Sequence, residues 1–264
     1  AGILLGSVSL SPINVLRCLA GFDKDTTDYI LINTVRLPRV IGACVAGMGL
    51  STAGVILQSV MNNSLASPNT IGVNSGAGFA VMLSLMFGSN RTLGIPIAAF
   101  AGSLAATLII YGLAYMADSS RTTIILAGIT VSSFLNAGIN TIKLLDTDIT
   151  INLTTFMIGS LSGLTFKTLQ FPIIAILIAL ILSFLFARSI NVLSLGDETA
   201  RSLGLHVTAV RLFLLVLSSI LSGCVVSYAG LLSFVGLIIP HICRRLFGND
   251  ARYLLPCSAL LGAS

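Results

Sequence analysis

Residues 40–90 contain no Asp, Glu, Lys or Arg, and neither do residues 212–243. Runs of that length constrain this chain more than any other feature. Soluble domains are roughly 25% charged, whereas this sequence is 9% charged and 55% hydrophobic, with a mean hydropathy of +1.02. A membrane span needs about 20 apolar residues, because the hydrocarbon core is about 30 Å thick and a helix rises about 1.5 Å per residue. The chain therefore reads as an all-α integral membrane protein, a polytopic helical bundle.

Apolar spans are expected at about 36–60, 70–88, 95–116, 123–145, 170–187, 208–229 and 231–247, with another beginning near 254. Turn residues and charge mark the loops "MNNSLASPN" (61–69), "GSNRTLGIP" (88–96) and "ADSSRT" (117–122). The segment 146–169 is too polar to span and is expected to hold a short helix at the interface. The opening "AGILLG" resembles the tail of an earlier apolar span, and "YLLPCSALLGAS" stops inside an apolar run, so both ends suggest a piece of a longer chain.

Small residues recur every four positions: Gly72, Gly76, Ala80, Ser84 and Gly88 form one ladder, and Ala98, Gly102 and Ala106 another. No water drives helices together in lipid, so such faces predict close backbone packing and carry no functional information. The five cysteines, Cys18, Cys44, Cys224, Cys243 and Cys257, show no CxxC spacing and read as small apolar side chains. A net charge of +5 is too modest to signal nucleic acid or a polybasic lipid anchor.

Five expected spans separate Arg36 from Asp197, which puts the two on opposite sides of the membrane. The positive-inside rule does not orient them, because each face receives seven basic residues. Catalytic signatures are lacking. His206 and His241 have no HExxH spacing, and there is no GxSxG; of the three lysines only Lys167 precedes a threonine, with Phe166 where a P-loop needs glycine. The chain does not bind ATP through such a loop. All nine acids fall in loops or at span ends, whereas ion-coupled transporters usually carry carboxylates or histidines within the membrane. His241 is the one ionisable candidate at mid-span. A transporter of this kind must draw its energy from a partner.

One stretch breaks the apolar pattern: "NVLSLGDETARSLGLHV" (191–207), which contains Glu198, the only glutamate of the chain. Asp197 and Glu198 suit the first turn of a helix, Arg201 lies four and three residues further on and within reach of both, and Gly204 suits a C-terminal stop. The pattern predicts a polar helix of about two turns with internally paired charges. It fits either a solvated connector or a helix that docks into a cleft on a soluble partner.

Three segments, "RLPRVIGACVAGMGLSTAGVILQSVMNNSLASPNTIGVNSGAG" (36–78), "LSLGDETARSLGL" (193–205) and "AGLLSFVGLIIPHICRRLFGNDARYLLP" (229–256), resemble in order the FecCD-type permeases of bacterial ABC importers for ferric siderophores, haem and cobalamin. The resemblance covers nearly the whole chain. It implies the ten-span type II importer fold, of which this sequence would be a single permease domain of about eight spans, lacking most of the first and the last one or two. It also implies a multi-pass protein of the bacterial inner or plasma membrane, alternating access, and no catalysis or cofactor of its own.

The same resemblance assigns roles. Ser194, Leu195, Gly196, Asp197, Glu198, Ala200, Arg201, Leu203 and Gly204 match the cytoplasmic helix that couples to the ATPase subunit. Arg36 and Arg39 of "RLPR" match the arginines that dock the extracytoplasmic substrate-binding protein. Ser120, Arg121 and Thr122 match a cytoplasmic gate. Two permease copies, identical or related, would line the path within membrane lipid. Ser64 stands where the family usually has proline, and Pro68 still supplies a rigid turn. Pro240–His241 matches a recurrent pair, expected to be a kink with a satisfied polar partner. A stand-alone ion-coupled transporter or channel is the alternative.

Overall fold

Pro38 shapes the first helix. The computed structural model describes residues 11, 15, 17, 22, 26–87, 94–117, 120–145, 147–232 and 234–264, without the side chains of 147–150, 152 and 155. Of the positions discussed above, the "AGILLG" run, Cys18, Lys24, Asp23, Asp25, Gly88, Arg91, Asp118, Ser119 and Asp146 lie outside these residues. Helix α1 (Thr27–Val60) is continuous but contains a π-helical segment, Leu31–Arg36, whose widened turn ends just before Pro38. Proline cannot donate an N–H to the preceding turn, and the Leu37 N–H reaches back to the Ile32 carbonyl instead.

The remaining helices are α2 (Val73–Met86), α3 (Gly94–Ala117), α4 (Arg121–Leu145), α5 (Thr147–Ile158), α6 (Phe166–Leu185), α7 (Ala187–Ser194), α8 (Asp197–Ser202), α9 (Val207–Ala229), α10 (Val235–Phe247) and α11 (Ala251–Ala263). Among the described residues five helices are long and apolar enough to cross a membrane: α1, α3, α4, α6 and α9. Short helix α5 occupies the polar stretch after α4, as its composition predicts.

The expected spans at 70–88 and 231–247 are corrected. Helix α2 has 14 residues and α10 has 13, about 20 Å each, well short of the hydrocarbon thickness of about 30 Å. Ahead of α2, irregular backbone continues the chain past the helix end. Segment 61–72 turns at Asn63, whose Oδ1 accepts the Leu65 N–H at 2.9 Å. It then forms a 3₁₀ turn, Pro68–Ile71, closed by a Ser67–Thr70 capping box. These caps hold the loop without a proline at Ser64. Its Ile71 carbonyl lies 3.3 Å from Thr107 Oγ1, midway along α3. Non-helical backbone at such depth is tolerated where protein surrounds it. The last helix, α11, starts at Ala251, slightly ahead of the expected position.

The small-residue ladders pack against one another. A Cβ placed on Gly76 would collide with the Gly102 carbonyl and with Ala106, and one on Gly102 with Ala80. The same intimacy joins α1 to α11 at Gly47–Gly262 and α1 to α10 at Gly54–Gly236. Buried hydroxyls add polar ties between helices: Thr107 Oγ1 lies 3.0 Å from Ser219 Oγ, and Ser218 Oγ donates to the Ala53 carbonyl at 3.3 Å. Missed in the sequence is a brace at the end of α1. There Arg244 of α10 donates to Gln58 Oε1, and Gln58 Nε2 reaches the carbonyls of Gly236 and Leu237 at 3.5 Å.

A candidate coupling and gating site

Helix α9 supplies a ruler between the two ends of the bundle. Arg211 and Tyr228 sit near its opposite ends, about 25 Å apart at 1.5 Å per residue. At the Tyr228 end, its hydroxyl donates to the Gly42 carbonyl at 2.9 Å, and the Ser160 N–H to the Ala229 carbonyl at 2.9 Å. This is the end that carries α5 and the start of α1. At the Arg211 end lie α7, α8 and the start of α4. The separation of Arg36 and Arg39 from Asp197, expected from counting spans, is thus present in the bundle.

Helix α8 is bounded by two glycines whose backbone explains the sequence. Gly196, between α7 and α8, adopts φ 110°, ψ 158°, a region essentially reserved for glycine. Gly204 adopts φ 82°. The Leu205 N–H bonds the Ala200 carbonyl at 3.0 Å and the Gly204 N–H bonds that of Arg201 at 2.9 Å, the paired closure of a Schellman stop. Nothing lies within 4 Å of a Cβ at either position, so conformation rather than crowding requires glycine there. Helix α7 was not anticipated: the polar stretch begins with a helical turn of its own.

The two faces of α8 differ. Ala200 is buried against the bundle, while Ser194, Glu198, Thr199, Arg201, Ser202 and Gly204 are exposed. Leu195 and Leu203 flank this face, each 62% exposed. Asp197 points the other way. Arg211 Nη2 donates to both of its carboxylate oxygens at 2.6 Å, and Arg121 Nη2 lies 2.9 Å from Oδ1. Arg121 Nη2 also donates to the Leu193 carbonyl at 2.7 Å, so it grips the chain on both sides of Gly196. Partial burial would by itself raise the Asp197 pKa. The hydrogen bond from Arg211 and the charges of Arg211, Arg121 and Arg201 outweigh it and hold the carboxyl below its ordinary value.

The expected pairing inside α8 is therefore corrected: the ion-pair partners of Asp197 among the described residues are Arg121 and Arg211, and Arg201 acts on it only at longer range. Its nearest acid on the helix surface, Glu198, is exposed beside it. A helix of six residues leaves little room for i, i+4 pairing when a buried guanidinium offers a better-fixed partner; Arg211 is only 2% exposed.

The three gate candidates separate by role. Ser120 caps α4: its Oγ accepts the Thr123 N–H at 3.2 Å and lies 2.8 Å from Thr123 Oγ1. Arg121 makes the contacts to Asp197 and Leu193 just described, and Thr122 is exposed. A second anchor fastens α7 to α11. Asn191 Nδ2 donates to Asp250 Oδ1 at 2.7 Å, and its Oδ1 accepts the Ala251 N–H at 2.7 Å. Asp250 in turn caps α11 through the Arg252 N–H. The Asn191 and Arg252 bonds lower the Asp250 pKa to about 2.

At the other end, Arg39 is exposed, while Arg36 is 8% exposed within the π segment. A cavity of about 360 Å³ opens there among Phe156, Ser160, Leu164 and Tyr228. On α10, Pro240 is buried but His241 is exposed, without a hydrogen-bond partner among the described residues; the satisfied partner expected for it is not found. Among the described residues no three His, Cys, Asp or Glu side chains cluster as a metal site would require.

Sequence reasoning also missed a face of α4. Only 17% of the apolar stretch of this helix is buried, against 72% for that of α1. Its exposed surface sets Thr130, Ser133, Asn136 and Asn140 among the apolar Leu126, Ile129 and Phe134. Beside it, Asn69, Thr70, Ser75, Ser132 and Asn136 line a polar, uncharged cavity of about 220 Å³, in which Asn136 Nδ2 donates to Ser75 Oγ at 3.4 Å. The signal was present as polar residues at helical spacing inside an expected span, which composition averages over.

The FecCD transport family matches residues 1–264. The iron(3+)-hydroxamate import system permease FhuB of Bacillus subtilis (strain 168) is 35% identical over 264 residues, covering 99% of this chain and 68% of that protein. The hemin transport system permease HmuU of Yersinia pestis is 34% identical over 268 residues, covering 99% and 80%. Among solved structures, an inward-facing metal-chelate type ABC transporter is similar with a TM-score of 0.89 and 28% identity, covering 99% of this chain and 82% of that one. With its whole length matched by the family and its fold by a solved metal-chelate type transporter, the chain belongs to the FecCD transport family.

Proposed function

We propose that this multi-pass permease passes an iron–siderophore complex, or haem or cobalamin, across the bacterial inner or plasma membrane, driven by ATP hydrolysed on a separate chain. The observation that carries this reading is the two-sided helix α8. Its outer face offers Glu198 and Arg201 between the exposed Leu195 and Leu203, a mixed charged and apolar surface suited to a soluble ATPase subunit. Its inner face reaches the start of α4 through Asp197.

On the opposite side, exposed Arg39 is the group presented to an acidic patch on a substrate-binding protein, where complementary charge serves orientation and association rate. Arg36, buried beside it, supports that end of α1. The polar groups on α4 are costly against hydrocarbon and mark the surface that a second permease copy and the aqueous path would cover. Uncharged walls suit a chelate whose metal is already fully enclosed. No Asp or Glu lies within Leu37–Val60, α3, α4, α6 or α9, which disfavours a stand-alone ion-coupled transporter.

The test is reconstitution with the cognate ATPase and binding protein, followed by uptake of ferric siderophores, haem and cobalamin. ATP-dependent uptake of one class, abolished without the ATPase, is expected. Uptake by the permease alone under a proton or sodium gradient would refute the proposal.

A further inference from the structure

We infer that the Asp197 carboxylate is the joint that transmits movement of α8 to α4, the helix whose start holds the gate candidates Ser120, Arg121 and Thr122, with Arg121 as the receiving group and Arg211 as the fixed bearing. This rests on the reading of α8 as the ATPase-docking helix and names the positioning residue within it.

The geometry gives each group a distinct place. Arg211 is 2% exposed within α9, whose apolar stretch is 67% buried, so it is held by the body of the bundle. Arg121 is the first residue of α4, the least buried of the spans at 17%. The helix packs along one side on α2, α3 and the 61–72 segment, and at its start Arg121 bonds both the Leu193 carbonyl and Asp197, so a pull there acts on the helix end. Those two acceptors flank Gly196. Any rotation of α8 about that glycine moves the carboxylate relative to Leu193 and pulls the guanidinium, and α4 with it. Meanwhile Arg211 keeps the carboxylate ionised and limits its travel. Charge-assisted bonds of 2.6–2.9 Å are short and directional enough to carry such a displacement. Ala200, the buried contact of α8, has no polar group with which to do so.

The experiment places spin labels at the exposed positions Ser202 on α8 and Thr122 on α4, each paired with a reference label on the periphery of the bundle. The permease–ATPase complex in nanodiscs is compared with no nucleotide and with MgATP plus orthovanadate. In the parent complex both distances should shift. In Asp197→Asn the Ser202 shift should persist and the Thr122 shift be lost, with the ATPase still bound. Arg121→Gln should behave likewise, Arg121→Lys should restore part of the Thr122 shift, and combining Asp197→Asn with Arg121→Gln should do no further harm. A full Thr122 shift in Asp197→Asn, or release of the ATPase by that change, would overturn the inference, the latter because Asp197 would then be a contact residue. Failure of the unaltered permease to bind any ATPase would instead overturn the docking reading itself. Near-native melting of each purified permease variant, read by circular dichroism at the helical band, separates a transmission defect from misfolding.

Discussion

Replacing Gly196 with alanine tests the coupling segment by its backbone alone. No heavy atom lies within 4 Å of the added Cβ, so the substitution creates no clash and removes no side-chain contact. The whole effect comes from φ 110°, ψ 158°, which an L-residue adopts at a cost of about 1–3 kcal/mol. The chain relieves that cost by turning α8 away from α7, which separates Asp197 from Arg121 and rotates Glu198 and Arg201 off their present face. At about 1.4 kcal/mol per tenfold, the population with α8 correctly placed falls by up to roughly 5- to 150-fold, and the apparent Kd for the ATPase rises by that factor. Titrating fluorescently labelled ATPase onto the permease in nanodiscs measures it. Gly204→Ala is the control: a φ of 82° costs alanine about 1–2 kcal/mol, and it falls after the helix rather than at its hinge. Wild-type affinity for Gly196→Ala, or a larger loss for Gly204→Ala, would refute the reasoning.

At the opposite end, Arg39→Glu should slow association of the substrate-binding protein in a salt-dependent way without changing the melting temperature. Arg36→Glu, at a position 8% exposed, should lower the melting temperature instead; surface plasmon resonance and thermal shift on the same samples separate the two. Asp197 is held below its ordinary pKa and Asp250 near 2. A depressed carboxyl contributes stability above its unfolded value of about 3.9 and loses it only as pH falls through the folded value. Thermal stability of the permease should therefore show no transition above about pH 5 that Asp197→Asn or Asp250→Asn removes, and such a transition would contradict the ion pairs. Gly76→Leu should abolish folded protein in size-exclusion chromatography, because overpacking commonly costs about 1–3 kcal/mol or more and here the obstacle is the Gly102 backbone. Gly112→Ala on the same helix pair, with nothing within 4 Å, should be silent; equal behaviour of the two would mean that α2 and α3 do not pack as described.

The class of fold was legible because charge-free runs have few physical outcomes, and the packing of α2 on α3 because Gly76, Ala80, Gly102 and Ala106 show their spacing openly. Depth was not legible. The hydropathy of residues 70–88 and 231–247 resembles that of full spans, and nothing in a windowed average distinguishes a crossing helix from a half-length one fed by buried loop. The polar turn was found at the right place, with its glycine stop, yet its electrostatics were misassigned. Spacing within one helix suggested Arg201 as the partner of Asp197, whereas the partners come from α4 and α9 and become neighbours only once the bundle forms. For the same reason the Gln58–Arg244 brace and the exposure of His241 could not be anticipated.

The bare polar flank of α4 bears on how such a subunit survives in the cell. A newly inserted copy presents Ser133 and Asn140 to acyl chains that cannot bond them, where an interhelical hydrogen bond would be worth about 1–2 kcal/mol in model helices. Until that flank is covered, α4 is the helix most easily drawn aside or recognised by membrane proteases that sample loosely held segments. Permease abundance would then track the supply of its partners, and an orphaned copy would be short-lived even though its other helices are well packed.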